Sequence, residues 1–166
     1  MRQRFRSGRC FLLEPTVAEL DWIDVVLRLT TAGVVGGALG VNRFLHHKNI
    51  GVRTLGLVSI TAAAVVAGAI EATNNDGATR AIQGIITGIG FIGAGVIVRQ
   101  KDEHNVRGLT TAATVWVAAS IGILCGLGTW RILLVATALV AILLWGGGSL
   151  EKWIVRQRVQ KPPSDD

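Results

Sequence analysis

Three groups of residues in this chain could do chemistry. Gly88-Ile89-Gly90-Phe91-Ile92-Gly93 matches G-x-G-x-x-G, but the dinucleotide fingerprint needs a preceding strand and a doubly wound domain. This copy sits inside the uncharged run 81–98, so that reading is rejected. Asp24 and Arg28 lie four residues apart, one helical turn, where an ion pair forms readily. The third group is a set of amides and hydroxyls, Gln83, Thr87, Thr110, Thr111, Thr114 and Ser120. Thr110 and Thr114 share a helix face, and Arg99 and Arg107 lie close in sequence. Such a set could line an ion path, or each threonine could bond its own preceding carbonyl. Both readings stand at this point.

Other constellations are weaker. His46-His47 and His104, with Asp102-Glu103 nearby, lack a third ligand at defined spacing, so no metal site is expected. Glu71 and Asp76 could attract cations at a membrane mouth, but two carboxylates on a turn do not make a site. No Ser/His/Asp, Cys/His or paired-carboxylate arrangement appears at membrane depth, so neither an enzyme nor a cofactor is expected. Cys10 and Cys125 are far apart and suggest no disulfide framework.

The elements that must position these residues follow from charge distribution. Half of the 166 residues are hydrophobic and only 17% are charged, with a mean hydropathy of +0.48. The stretches 54–70, 81–98, 108–130 and 132–150 carry no Asp, Glu, Lys or Arg. A helix rises about 1.5 Å per residue, so roughly 20 residues cross a hydrocarbon core of about 30 Å. The expectation is an all-α, polytopic membrane protein with five transmembrane helices, at 22–41, 54–71, 80–98, 108–126 and 129–149. Span one must carry Arg28, which costs about 2.5–3.5 kcal/mol near a helix centre. Turned outward it would snorkel, and turned inward it would hold a polar site. The turn signal Asn74-Asn75-Asp76-Gly77 predicts a loop over 71–79.

A polar N-terminal tail, 1–21, and a short C-terminal tail, 150–166, flank the spans. The tail's apolar run Phe11 to Leu13 is too short for a signal peptide. Ten basic residues fall on the side of the first loop, third loop and C-tail, against six on the other. The positive-inside rule then places the N-terminus outside and the C-terminus in the cytoplasm. The net charge of +6 flanks apolar spans, which favours the lipid bilayer over nucleic acid as partner. The glycine pairs Gly33/Gly37, Gly36/Gly40, Gly84/Gly88 and Gly122/Gly126 are spaced for close helix packing. With Gly90, Gly93 and Gly95 they predict a tightly packed, glycine-rich bundle or a docking face. Spans two and five read as lipid-facing walls, and spans one, three and four as a polar, glycine-lined seam toward the cytoplasm.

Three blocks carry a resemblance. Gly51-Val52-Arg53-Thr54 is similar to a family motif G-L-R-T. Residues 88–99, G-I-G-F-I-G-A-G-V-I-V-R, resemble G-I-G-F-L-G-A-G-x-I-x-R, and 106–118, V-R-G-L-T-T-A-A-T-V-W-V-A, resemble V-x-G-L-T-T-A-A-x-x-W-V. On these blocks the chain resembles the MgtC/SapB family of bacterial inner-membrane proteins over about residues 23–149. The family-like positions are Arg28, Arg43, Arg53, Gly88, Gly90, Gly93, Gly95, Arg99, Gly108, Thr110, Thr111 and Cys125. Where the family's first span ends in G-L-E-R this chain has Gly40-Val41-Asn42-Arg43, and Leu55 stands where G-L-R-T is often followed by His. The family's usual cytoplasmic C-terminal domain has no counterpart in these residues. The resemblance implies a five-span inner-membrane domain linked to growth at low magnesium and to host or acid stress, through modulation of a membrane complex such as the F-type ATP synthase. A membrane-protein partner or homo-oligomer is expected with it. The alternative is a small transporter or channel for magnesium or protons, motivated by Arg28 and the Gln83/Thr87/Thr110/Thr114 group.

Overall fold

The computed structural model describes residues 20–45, 50–98 and 108–159. These form four helices, α1 (Trp22–Leu45), α2 (Val52–Val98), α3 (Leu109–Gly126) and α4 (Trp130–Val159). Four segments are long and apolar enough to cross a membrane: Trp22–Arg43, Val52–Thr73, Asp76–Ile97 and Leu109–Gly126. A shorter apolar stretch, Trp130–Leu144, opens α4. The protein is thus an all-helical membrane protein among the described residues, with spans close to those that charge distribution predicts. The tails before residue 20 and after 159, the histidines, Arg99 and the third loop lie outside the described residues.

One element departs from expectation. Residues 71–79 were expected to be a loop, yet helical backbone runs without interruption from Val52 to Val98. Straight, those 47 residues would span about 70 Å, more than twice a hydrocarbon core. The helix is not straight. Leu57 and Val65 line the same groove as Ile85 and Ile92. A Cβ on Gly77 would lie 3.0 Å from the carbonyl oxygen of Ala69, eight residues earlier, whereas a straight helix separates such residues by about 12 Å of rise. The chain therefore doubles back between Thr73 and Asp76, and the two halves of α2 lie antiparallel. Gly77 permits the reversal, because a side chain there would collide with Thr73. The turn signal marks the right place, although α2 shows no break between its two halves.

The first half of α2 is the centre of the bundle. Leu55, Ser59, Ala62, Ala63, Val66 and Ala67 are buried, a repeat of four, three and one residues that places them on one broad helix face. α1 covers this face from one side with Gly36 and Gly40. A Cβ on Gly36 would sit 2.6 Å from Ser59 Cβ, and one on Gly40 would overlap the Val52 backbone. α3 covers it from the other side. A Cβ on Gly122 would overlap the Ser59 carbonyl, and one on Gly126 would come within 2.8 Å of the Ala63 carbonyl. In lipid, helices associate by such close packing, since tails are as apolar as the side chains they would replace. Span two is therefore the core, and reading it as a lipid-facing wall is corrected. α4 rests mainly on α3, burying Leu133 while Leu134, Val135, Leu139, Ile142 and Leu143 stay exposed.

Candidate functional site

α1 runs antiparallel to α3 and carries an arginine at each end of it. Arg28 and Arg43 are 15 residues apart, as are Thr111 and Gly126 on α3, so both pairs span about 22 Å. Equal spacing lets one helix cap both ends of the other.

The Arg28 end has its counter-charge in place, with only the buried Nε of Arg28 left unpartnered. The guanidinium pairs with Asp24 at 2.7 Å, one turn earlier on α1, and Nη1 donates to the Gly126 carbonyl at 2.5 Å. α3 ends in a Schellman turn. Gly128 adopts φ +70, a left-handed conformation that glycine takes without strain. Its N–H donates to the Cys125 carbonyl at 2.9 Å, and the Thr129 N–H donates to that of Leu124 at 3.1 Å. Arg28 supplies the donor for the remaining carbonyl, a cation at the negative end of the helix dipole. A side chain on Gly128 would strike the guanidinium. Arg28 is turned inward rather than snorkelling, with its side chain 12% exposed.

The Arg43 end is built differently. Arg43 is only 6% exposed, and Nη2 donates to Thr111 Oγ1. Its Nε, like that of Arg28, is buried without a partner. The Asp24–Arg28 pair is the one ion pair among the described residues, so no described carboxylate faces Arg43. Thr111 lies in the first turn of α3, which starts after Gly108 at φ 101, and no side chain caps that turn. The helix's own ladder begins when the Ala112 N–H donates to the Gly108 carbonyl at 2.8 Å. α2 begins at the same end, since Val52 packs on Gly40 within one turn of Arg43. Arg53 is exposed in that first turn, and neither α2 nor α3 has an acidic residue in its first turn.

The expected polar group does not converge. Thr87 is exposed and donates to the Gln83 carbonyl at 2.8 Å, while Thr114 donates to the Thr110 carbonyl at 2.7 Å and Ser120 to that of Trp116 at 3.0 Å. Each hydroxyl satisfies its own helix. Gly93 faces Ala112, and Gln83 is ten residues from Gly93 on α2, on the order of 15 Å along the axis. Gln83 and Thr87 thus sit toward the far end from Thr110, Thr111 and Thr114.

The glycines divide into two sets. Gly84, Gly88, Gly90 and Gly95 have nothing within 4 Å of a built Cβ. They lie on the second half of α2, of which only 6% is buried, beside Phe91 at 84% exposure. Gly84, Gly88 and Gly95 fall within about 40° of one another around the helix. Cys125 is a buried free thiol in the core. No group of three or more His, Cys, Asp or Glu able to hold a metal occurs among the described residues. Ser59, at 0% exposure with an unpartnered hydroxyl, has no place in the sequence reading. Its signal was its spacing from Leu55, Ala62 and Val66 rather than its type.

Comparison with known proteins bears on this arrangement. The family model for the MgtC family matches residues 29–153. The chain is 42% identical to protein MgtC of Salmonella typhimurium over 115 residues, 69% of this chain and 48% of that one. It is 41% identical to protein MgtC of Brucella abortus over 112 residues, 68% of this chain and 46% of that one. With protein SrpB of Synechococcus elongatus it shares 33% identity over 144 residues, 80% of this chain and 79% of that one. The chain thus spans about half the length of the MgtC proteins it matches. No solved structure matches it significantly.

Proposed function

Because the chain belongs to the MgtC family, we propose that it is a non-enzymatic bacterial inner-membrane protein that modulates another membrane complex. Its physiological setting is adaptation to low magnesium or to host and acid stress, as the family resemblance implies. The F-type ATP synthase is the complex to which that resemblance points. The loop charges favour an external N-terminus and a cytoplasmic C-terminus.

The observation that carries this reading is the open glycine face on the second half of α2. Gly84, Gly88 and Gly95 have open space around them in the least buried of the long apolar segments. A glycine-surfaced helix in lipid forgoes side-chain packing, and a close-approaching partner helix restores it. The transport reading is less well supported, because Gln83 and Thr87 do not meet Thr110 and Thr114. Intramembrane carboxylates, which ion paths commonly use, are also scarce, with Asp24 committed to Arg28.

The test is copurification of the tagged chain from bacterial membranes in mild detergent, with partners identified by mass spectrometry. ATP-driven proton pumping in inverted vesicles is measured alongside. The native chain is expected to recover a partner complex and change its activity, and Gly88→Leu is expected to lose both. A Leu134→Ala variant on exposed α4 should retain both. Recovery of the chain alone, with pumping unaltered by its presence, would sink the proposal.

A further inference from the structure

We propose that the N-terminal end of α3 and Arg43 together form a binding site for a phosphate-class oxyanion. Its source is either the phosphodiester of a lipid headgroup at that membrane face or free phosphate. The inference is independent of the docking face, which lies on another helix.

Two observations of different kinds meet at this place. One is a helix N-terminus whose N–H groups before Ala112 precede the helical ladder, after a glycine that offers no capping side chain. Such a terminus carries partial positive charge and aims donors outward, which suits an anion. The other is Arg43, which is more than nine-tenths buried. It reaches from the end of α1 to the first turn of that same helix through Thr111, with Nε left unpartnered. Burying a cation is tolerated when a counter-charge and hydrogen bonds replace the lost water. Arg28 shares the unpartnered Nε but has its counter-charge in Asp24 and a further acceptor in the Gly126 carbonyl. Arg43 has a hydroxyl and no described carboxylate, and it sits at the end of α3 where the dipole opposes a cation.

An oxyanion resolves each of these mismatches. Its oxygens can accept from Arg43 Nε and from the first-turn N–H groups of α3. Thr111 Oγ1 already accepts from Arg43, so its own proton is available to donate. Arg43 is the last residue of the segment Trp22–Arg43, at the level where a bilayer's headgroups begin. Exposed Arg53 and the first turn of α2 add positive potential nearby without an acidic residue to cancel it. A planar guanidinium and a row of backbone donors recognise phosphate oxygens by geometry as well as charge.

The experiment uses the full chain purified in a maltoside detergent, which contains no phosphate. In one arm inorganic phosphate is titrated, with chloride at matched ionic strength as control. In the other, phosphatidylglycerol or phosphatidylcholine is added at equal mole fraction. Binding is read by isothermal calorimetry and by the shift in thermal unfolding. The native chain is expected to bind in at least one arm, and Arg43→Gln to bind roughly 10- to 100-fold more weakly, the range for losing charge-assisted hydrogen bonds. Arg131→Gln, exposed at the start of α4 beyond the opposite end of α3, should bind as the native chain does. Binding of phosphate alone assigns the free anion, and binding of lipid alone assigns the headgroup. Binding of both supports the shared phosphate chemistry. If Arg43→Gln fails to fold, Arg43→Lys and Thr111→Val carry the comparison. Both keep a cation in place while disturbing the donor geometry, and both are expected to weaken binding. No binding in either arm, a phosphate effect that chloride reproduces, or variants that bind as tightly as the native chain would each overturn the proposal.

Discussion

The two halves of α2 are made of similar residues and end in opposite surroundings. Val52–Thr73 and Asp76–Ile97 both pass as apolar spans, yet 33% of the first is buried and 6% of the second. The difference lies in where the small residues point. In the first half, Ser59, Ala62 and Ala63 face inward, and glycines of α1 and α3 meet them. In the second half, Ile85 and Ile89 face inward, and Gly84, Gly88 and Gly95 face out. Glycine content therefore does not predict which helix is central. What decides is whether a neighbouring helix brings its own small residues to the same level, so that backbones can approach.

The largest expected effect comes from filling the closed side of this comparison. A Cβ on Gly122 already overlaps the Ser59 carbonyl and lies 2.8 Å from Ala62 Cβ. Neither backbone can yield without separating α3 from α2. Gly122→Leu is expected to cost about 3 kcal/mol or more, at or beyond the usual range for overpacking, measured as loss of folded protein in detergent unfolding. A variant as stable as the native chain would mean that the α2–α3 contact is not the core.

Next in size is Arg28→Met. It removes the partner of Asp24 and the donor to Gly126 while keeping much of the side-chain volume. Leaving a partly buried carboxylate and a helix-end carbonyl without partners should cost about 1–3 kcal/mol. Asp24→Asn in the same background should recover part of that loss, because the unpaired charge is then gone. No recovery in the double variant would assign the cost to the Gly126 cap alone.

Much of this was legible before any coordinates. Runs without charge mark the spans because an unpaired charge in lipid is expensive, and that rule needs no knowledge of neighbours. Asp24 and Arg28 show their spacing in one helix, so their pairing was readable too. The inward face of the first half was harder. Its alanines and Ser59 differ little in hydropathy from lipid-facing residues, so only spacing against glycines on other helices distinguishes them. The Arg43–Thr111 contact joins residues 68 apart in sequence, and nothing local announces it. The reversal at Asn74-Asn75-Asp76-Gly77 was located correctly by its residue types, but those types do not say that α2 shows no break there.

A smaller effect of opposite sign tests the closed seam itself. The Ser59 hydroxyl is buried without a partner, and its Cβ touches the space that Gly36 leaves. Removing an unsatisfied hydroxyl deletes a desolvation penalty and opens little volume. Ser59→Ala is expected to be neutral or stabilising by up to about 1 kcal/mol in the same unfolding assay. Ser59→Val adds bulk against Gly36 and is expected to destabilise by about 1–3 kcal/mol. If Ser59→Ala instead destabilises clearly, the hydroxyl has an acceptor in the membrane, and the seam is more polar than its contacts show.

The smallest expected change in stability is on the open side, and it sharpens the comparison most. Gly84→Leu and Gly88→Leu place side chains where nothing lies within 4 Å. No packed neighbour has to move, and a glycine in a helix is replaced by a better helix former. Both variants should therefore unfold within about 0.5 kcal/mol of the native chain, as surface changes usually do. Set beside the failure expected of Gly122→Leu, the same substitution would separate glycines that hold the chain together from glycines held in reserve. If stability is kept while partner recovery is lost, the open face is a recognition surface rather than unused helix. If Gly88→Leu is as damaging as Gly122→Leu, the face is already covered within the folded protein by a second copy or by an undescribed segment, and the two halves of α2 are more alike than they look.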